Sequence, residues 1–270
     1  MQIALVVIGF FALAYLILIF LTSPAGKQNQ DRSLLKGAFI AHRGLHNEKE
    51  NVPENSLLAF RKAIEKGYPI EMDLRLTKDA QVVVFHDENT KRMCGTDGKI
   101  GEMTLEEIQR LRLNGTEERI PTLKECLDLT KGRVFLLLEF KVSGDGAEAL
   151  CRAADQVLQD YTGAYLVQSF HPTALSWYRK NRKEICRGQL IPGKKPKEKK
   201  RFCRALLRSQ FCHFLSRPDF VSCAYESAPL LLRFTSWQGA YLVGWTFRGK
   251  NALEKNQGRF DAFIFENFLP

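Results

Sequence analysis

Short apolar segments recur along most of the chain and alternate with segments of helical periodicity. Residues 56–66 are typical of the latter, with Leu57, Phe60 and Ile64 on one face and Gly67 as a stop signal. Regular alternation of strands and helices favours parallel pairing, and eight strands favour a closed (β/α)8 TIM barrel over a doubly wound open sheet. The eight predicted strands are residues 38–42, 70–74, 134–140, 165–169, 185–191, 220–224, 241–245 and 262–265.

Local signals add a hairpin and two helix starts to this pattern. A further strand-like segment, residues 81–86, follows the second strand too closely for a parallel crossover, so we expect it to return antiparallel. The pairs Thr104 with Glu107 and Thr122 with Glu125 fit capping boxes that begin helices.

A longer apolar segment precedes the barrel. Ile3 to Leu21 is nineteen residues without a charge, close to the ~20 that a helix needs to cross a bilayer. We therefore expect a transmembrane anchor at residues 1–22, a polar tether at 23–36 and the barrel at 37–270. A cleaved signal peptide is the alternative, but a basic n-region is missing and the segment exceeds the usual ~7–15 apolar residues.

Charge and cysteine content bear on location. Forty Lys and Arg against thirty Asp and Glu give a net charge of +10, which favours anionic partners. Lys27, Arg32 and Lys36 all follow the span, so the positive-inside rule predicts a single-pass protein of the cell membrane with the barrel in the cytoplasm. Seven cysteines without a Cys-x-x-Cys pair indicate reduced thiols and a reducing compartment.

A dense basic segment covers residues 194–208, KKPKEKKRFCRALLR. It is either a solvated loop or, with Phe202, Leu206 and Leu207, a contact for anionic lipid headgroups. Aromatic residues do not interleave with the basic ones as in nucleic-acid-binding modules, so nucleic acid is not an expected partner.

Polar residues with catalytic chemistry sit at the predicted carboxyl ends of strands, where barrel enzymes place their sites. Glu71 and Asp73 are two residues apart and therefore share a face, as do Glu139 and Lys141. The three carboxylates suit Ca²⁺ or Mg²⁺, and a bound cation can neutralise a phosphodiester. Arg43 and Lys141 can contact phosphate, while His42 and His86 can serve as general acid and base.

Seven ordered motifs carry a resemblance to a known family: AHRG, PENSLLAF, EMDL, TKD, VVVFHD, IPTL and LEFK. From about residue 37 to 267 the chain resembles the glycerophosphodiester phosphodiesterase family, metal-dependent (β/α)8 barrels that hydrolyse glycerophosphodiesters to an alcohol and glycerol 3-phosphate. The resemblance implies a catalytic pair, His42 and His86; phosphate-contacting Arg43 and Lys141; metal ligands Glu71, Asp73 and Glu139; and a substrate-contacting aromatic, Trp245.

Two departures from the family pattern stand out. Ala80 replaces a usual glycine after TKD, and residues 264–267, Ile-Phe-Glu-Asn, replace an Ile-Thr-Asp-x-Pro-like segment, so we expect a smaller contribution of the last strand to the site. Glu54 and Asn55 are interpreted as helix caps. Two other functions stay open: a lysophospholipase D acting on membrane lysophospholipids, and a non-catalytic barrel that binds the membrane surface.

Overall fold

The computed structural model describes residues 2–25, 30–194 and 201–270. Within these ranges nine strands form one sheet: β1 (Ala38–His42), β2 (Ile70–Leu76), β3 (Val82–Val84), β4 (Leu136–Phe140), β5 (Tyr165–Ser169), β6 (Arg187–Ile191), β7 (Phe220–Ala224), β8 (Tyr241–Phe247) and β9 (Ala262–Phe265). The sheet closes because β1 pairs in parallel with both β9 and β2. The predicted barrel is confirmed, and this closure excludes the doubly wound alternative.

The α-helices of the described residues lie mainly between consecutive barrel strands. They are α1 (Gln2–Thr22), α2 (Leu57–Glu65), α3 (Lys91–Cys94), α4 (Leu105–Gln109), α5 (Leu123–Thr130), α6 (Ala147–Leu158), α7 (Pro172–Asn181), α8 (Arg201–Ser209), α9 (His213–Ser216), α10 (Leu232–Trp237) and α11 (Lys250–Glu254).

The local sequence signals are confirmed. β3 runs antiparallel to β2 and pairs Val84 with Leu74, as the short connection predicts. Thr104 and Thr122 each form a complete capping box, at the starts of α4 and α5. These side chains bond to backbone N–H groups that a helix start leaves unpaired, which explains why the helices begin where they do.

Alternation along the strands divides the barrel interior into two layers. At the base, apolar side chains from several strands pack together, among them Ile40, Leu137 and Phe220. Two residues further along β1 and β4, the same inward face carries His42 and Glu139. Since all eight barrel strands are parallel, these polar residues gather at one end, the mouth of the barrel.

α1 is long and apolar enough to cross a membrane by length and composition. Its C-terminal end packs against the barrel: the Phe20 ring stacks on Phe214 at 6.0 Å between ring centroids. Arg217 donates hydrogen bonds to the carbonyl oxygens of Phe20 at 2.9 Å and Ser23 at 3.2 Å. A barrel arginine thus caps the carbonyl groups that the helix end leaves unpaired.

The predicted tether is packed on the barrel at both described ends. The Ala25 amide donates to the Pro218 carbonyl oxygen at 3.0 Å, and Arg32 donates to the Gly239 carbonyl oxygen at 2.8 Å. Residues 30–35 form a 3-10 helix with a buried Leu35. Lys27 in the tether and residues 195–200 of the basic segment lie outside the described residues.

Replacement of Gly188 by alanine tests the packing of the barrel wall. A Cβ at this position in β6 would lie 2.0 Å from the buried ring of Phe220. We expect Gly188→Ala to lower the free energy of unfolding by about 1–3 kcal/mol, since overpacking forces the ring off its rotamer. Gly101→Ala is the control, because a Cβ there meets its nearest atom at 3.9 Å. Denaturant unfolding measures both, and equal stability of the two variants would contradict this picture.

Candidate active site

Three carboxylates form the centre of the mouth. Glu71 and Asp73 come from β2, and Glu139 comes from β4, whose register places it directly beside Asp73. The three residues are 1%, 1% and 7% exposed, and one oxygen of each lies within 4.8 Å of the others. The sequence prediction that these residues share a site agrees with this geometry.

Two cations lie against the carboxylates. Lys141 Nζ is 3.1 Å from Asp73 Oδ1 and 2.5 Å from Glu139 Oε1, and Arg43 Nε is 3.2 Å from Asp73 Oδ2. Both cations are therefore paired with the same carboxylate, Asp73. The cations therefore serve two roles: they offset the buried negative charge, and they present positive charge to the mouth.

The carboxylates differ in how readily they ionise. Burial raises the pKa of Glu71, and repulsion from Asp73 and Glu139 raises it further. Burial also raises the pKa of Glu139, although Lys141 opposes that change. For Asp73, burial acts in the same direction, but Lys141 and Arg43 outweigh it and hold the pKa below its ordinary value. The three carboxylates can therefore all be ionised together only when further positive charge binds beside them.

A bound divalent cation would supply the missing positive charge. Asp73 Oδ1 and Glu139 Oε1 are buried and, apart from ion pairs with Lys141, accept no hydrogen bond from the described residues. Carboxylate oxygens from three residues, two of them without a hydrogen-bond donor, are the hard ligands that Ca²⁺ and Mg²⁺ prefer. The residues present therefore suit the metal that the sequence analysis expects.

His42, at the end of β1, is held between two carboxylates. Its Nδ1 is hydrogen-bonded to Glu266, and its Nε2 lies 4.0 Å from Glu71 Oε2. Burial lowers the pKa of His42, while the hydrogen bond to Glu266 raises it. The pairing through Nδ1 fixes the ring and leaves Nε2 toward the carboxylate cluster.

Glu266 directly follows β9, and its contacts show that the end of this strand contributes to the site. It accepts a hydrogen bond from Arg248 Nε at 2.6 Å besides its contact with His42. Burial raises the pKa of Glu266, but the hydrogen bonds from His42 and His46 outweigh it and keep the pKa well below its usual range. The expectation of a smaller contribution from the last strand is thus wrong. An acidic residue in the family pattern at this position was the available signal.

His86 is held in a similar way beyond the end of β3. Its Nδ1 lies 2.6 Å from Asp87 Oδ1, and Asp87 in turn accepts a hydrogen bond from Arg92 Nε at 2.5 Å. Arg75 fixes the backbone by donating to the His86 carbonyl oxygen at 2.7 and 3.0 Å. Burial, together with Lys141 and Arg43, lowers the pKa of His86 to about 4, although Asp73 opposes the change.

The turn after β1 has an unusual backbone that positions Arg43. Arg43 has φ 56° and Gly44 has φ 79°. A side chain at Gly44 would also meet the backbone of Ala59 at 2.8 Å, so glycine is required there. This turn brings the Arg43 amide to Glu71 Oε2 at 3.1 Å.

Glu54 and Asn55 contact the site instead of capping α2. Ser56 is the N-cap, because its side chain accepts a hydrogen bond from the Ala59 amide. Asn55 Nδ2 donates to Asp73 Oδ2 at 2.8 Å, and Glu54 Oε1 accepts from Arg43 Nη1 at 2.7 Å. The capping interpretation is therefore wrong, since helix-start residues and site-supporting residues look alike in a sequence.

Trp245 lies in the last part of β8, half-buried, with its ring edge-to-face on Phe170 at 6.1 Å. A separate cavity of about 310 Å³ adjoins the other side of the mouth and has Lys141, Arg75 and Lys99 in its wall. The mouth thus has an aromatic surface at Trp245, whereas the cavity beside Lys141 is lined by charged residues of both signs, Glu88 and Glu102 among them.

The sequence profile of the Glycerophosphoryl diester phosphodiesterase family matches residues 42–267. The chain belongs to this family. Its sequence is 43% identical over 110 residues to a glycerophosphodiester phosphodiesterase of Caldanaerobacter subterraneus, covering 38% of this chain and 44% of that protein. It is 31% identical over 162 residues to human glycerophosphodiester phosphodiesterase 1, covering 54% and 46% respectively. The chain thus spans about half the length of these curated relatives.

Solved structures share the fold over most of the chain. A glycerophosphodiester phosphodiesterase of Thermotoga maritima has a TM-score of 0.65 and 27% identity, covering 84% of this chain and 94% of that one. An Oleispira antarctica phosphodiesterase in complex with the product sn-glycerol-3-phosphate has a TM-score of 0.71 and 24% identity, covering 87% and 94%. The barrel found here is therefore the barrel of this family.

Cation binding tests the carboxylate cluster without any substrate. We expect Ca²⁺ or Mg²⁺ to bind the detergent-solubilised full chain, and Asp73→Asn to weaken binding by about 10-fold or more, because a ligand charge is lost. Titration calorimetry measures the affinity. Glu106→Gln, on exposed α4, is the matched control and should bind as the parent protein does. Equal affinity of the two variants would show that the cation binds elsewhere.

Proposed function

We propose that this protein hydrolyses glycerophosphodiesters to an alcohol and glycerol 3-phosphate, with His42 and His86 as the acid/base pair. One observation carries the proposal: two carboxylate-paired histidines flank a buried cluster of three carboxylates and two cations at the mouth of the barrel. Family membership supports the same activity. A barrel that only binds the membrane surface would not need both histidine pairs and the buried charges.

The proposed reaction needs two proton transfers. One neutral histidine takes a proton from the attacking hydroxyl or water at Nε2, and the other histidine, protonated, gives its proton to the departing alkoxide oxygen. If water attacks, its oxygen forms the new P–O bond as the P–O bond to the alcohol breaks. If a glycerol hydroxyl attacks, its oxygen displaces the alcohol to give a cyclic phosphate, and water then opens that ring to glycerol 3-phosphate. Because Nδ1 of each ring is paired with Glu266 or Asp87, each imidazolium has a partner when it holds a proton.

The remaining residues act on the charge of the substrate. Arg43 can hold two phosphate oxygens with its planar guanidinium, and Lys141 adds a point charge from the opposite side of Asp73. Trp245 offers an aromatic face to the glycerol or alcohol portion. Glu71, Asp73 and Glu139 would hold the Ca²⁺ or Mg²⁺ ion, which supplies Lewis-acid neutralisation of the phosphate when bound.

We further propose that α1 anchors the enzyme in the cell membrane as a single span, with the barrel in the cytoplasm. The helix contains no charged residue, and the basic residues that flank it, Lys27, Arg32 and Lys36, all follow it. None of the seven cysteines, which all lie in the described part of the chain, forms a disulfide. Free thiols fit a reducing compartment.

A lysophospholipid is a second candidate substrate. It contains the same glycerophosphodiester group, and the packing of the barrel against a membrane-length helix favours it, because such a lipid is held in the bilayer. Cleavage would release the headgroup alcohol and leave a lysophosphatidic acid. Release of choline from lysophosphatidylcholine, compared with glycerophosphocholine, separates the two candidates.

Replacement of either histidine tests the proposed chemistry. In the full chain with Ca²⁺ or Mg²⁺, we expect His42→Ala and His86→Ala each to lower kcat for glycerophosphocholine by about 10²–10⁴-fold, as expected for loss of an acid or base. Release of glycerol 3-phosphate is the measurement, and a chelator should abolish it. His171→Ala, a histidine outside the proposed pair, is the control. If the parent protein hydrolyses neither glycerophosphocholine nor the lyso-lipid with either metal, the binding-barrel alternative gains support.

Glu266 is tested as a positioning residue. Glu266→Gln removes the charge that pairs with His42, so we expect kcat to fall about 10²-fold with little change in KM, because substrate contacts remain. Glu266→Asp should restore part of the rate by retaining a carboxylate. Unchanged kcat in the glutamine variant, or a change in KM alone, would rule out this role.

A further inference from the structure

The apolar side of α8 faces outward. Phe202 and Leu206, four residues apart on one side of the helix, are 81% and 42% exposed. Leu207 and Arg208 are less exposed and lie toward the barrel. A surface helix of a globular domain normally has the reverse arrangement, with apolar residues inward and charges outward.

This helix is fixed at the mouth end of the barrel. Arg208 donates hydrogen bonds to the carbonyl oxygens of Pro192 at 2.8 Å and Ser227 at 2.9 Å. Pro192 follows β6, and Ser227 follows β7, so both lie at the carboxyl ends of strands, as the catalytic residues do. Leu230 in the same β7–α10 connection is 97% exposed and adds a further apolar side chain to this rim.

The N-terminal part of α1 also extends toward the mouth end of the barrel. α10 connects β7 to β8 and therefore runs from the mouth toward the base. Tyr15 of α1 packs against Phe234 early in α10, whereas Thr22 is bonded to Gln238 just beyond its end. α1 thus runs parallel to α10, and residues 2–14, about 20 Å of helix, extend from Tyr15 in the direction of the mouth.

The positive charge of the sequence around α8 favours an anionic partner. Residues 194–208 contain eight Lys and Arg and one acidic residue, Glu198, so α8 follows directly on a strongly basic sequence. A helix with an outward apolar side and adjoining cations is typical of segments that lie in the interface of an anionic bilayer. A second protein would also cover apolar residues, but it would not explain why a membrane-length helix extends toward the same end.

We propose that α8 and Leu230 dock on an anionic lipid bilayer and hold the mouth of the barrel against the membrane surface. Phe202 and Leu206 enter the boundary between headgroups and acyl chains, and the net positive charge of the sequence of residues 194–208 favours anionic headgroups there. A substrate held in the bilayer then reaches the mouth without crossing bulk water. The docking rests on membrane insertion of α1 and is independent of the proposed catalytic chemistry.

A dye on Cys203 tests the docking, because among the seven cysteines it is the exposed one on α8. The full chain, with Cys94→Ser to remove a half-buried thiol, is labelled with an environment-sensitive dye and placed in nanodiscs. We expect blue-shifted emission, quenched by spin-labelled lipid, in phosphatidylglycerol-containing nanodiscs but not in purely zwitterionic ones. The combined change Phe202→Gln and Leu206→Gln should abolish the shift.

A matched control places the same dye on α6, with Cys203→Ser and Arg152→Cys, an exposed site between other strands. It should report water in both kinds of nanodisc. Emission at Cys203 equal to that of this control would overturn the proposal, as would a shift that does not depend on anionic lipid. A shift in detergent that grows with protein concentration would assign the face to a second copy of the chain instead.

Hydrolysis of soluble glycerophosphocholine is measured on the same samples. The Phe202→Gln, Leu206→Gln protein should retain the parent rate, since neither residue touches the site. If the parent protein does not hydrolyse glycerophosphocholine, the proposed function is contradicted, while the dye result still tests the docking. A normal rate with an unshifted dye would contradict the docking alone.

Discussion

The structure of the site depends on one electrostatic constraint, the burial of three carboxylates within 4.8 Å of one another. At an effective dielectric constant of 20, two charges 4 Å apart repel by about 4 kcal/mol, so Glu71, Asp73 and Glu139 cannot all be charged without compensation. Lys141 and Arg43 supply part of it. Burial, together with the remaining deficit of positive charge, explains the raised pKa of Glu71, and the deficit explains why the cluster suits a divalent cation.

Much of the surrounding architecture supports that cluster. The strained turn at Arg43 and Gly44 brings a backbone amide to Glu71, and Asn55 fixes Asp73 from the start of α2. Glu54 holds Arg43 in place through a further ion pair. Backbone strain and buried ion pairs both cost free energy, and their concentration at the mouth is what a preorganised binding site for an anion requires.

The two histidines beside the cluster are held by the same arrangement of side chains. Each has Nδ1 paired with a carboxylate, and each of those carboxylates is held by an arginine: Arg248 for Glu266 and Arg92 for Asp87. Burial alone would keep both rings neutral, whereas the paired carboxylates stabilise the protonated form. This combination of burial and pairing is the reason we propose the two histidines as the acid/base pair.

The sequence by itself determined the barrel, its strand positions and which polar side chains share a face, because period-two alternation puts Glu71 with Asp73 and Glu139 with Lys141 on one face whatever the tertiary details. The sequence alone did not predict the contacts of Glu266 and Asn55 with the site. Glu266 is 224 positions from the histidine it pairs with, and their contact exists because β9 closes the barrel against β1. The outward side of α8 and the direction of α1 likewise followed from packing, since a helical pattern specifies which residues share a face but not what that face meets.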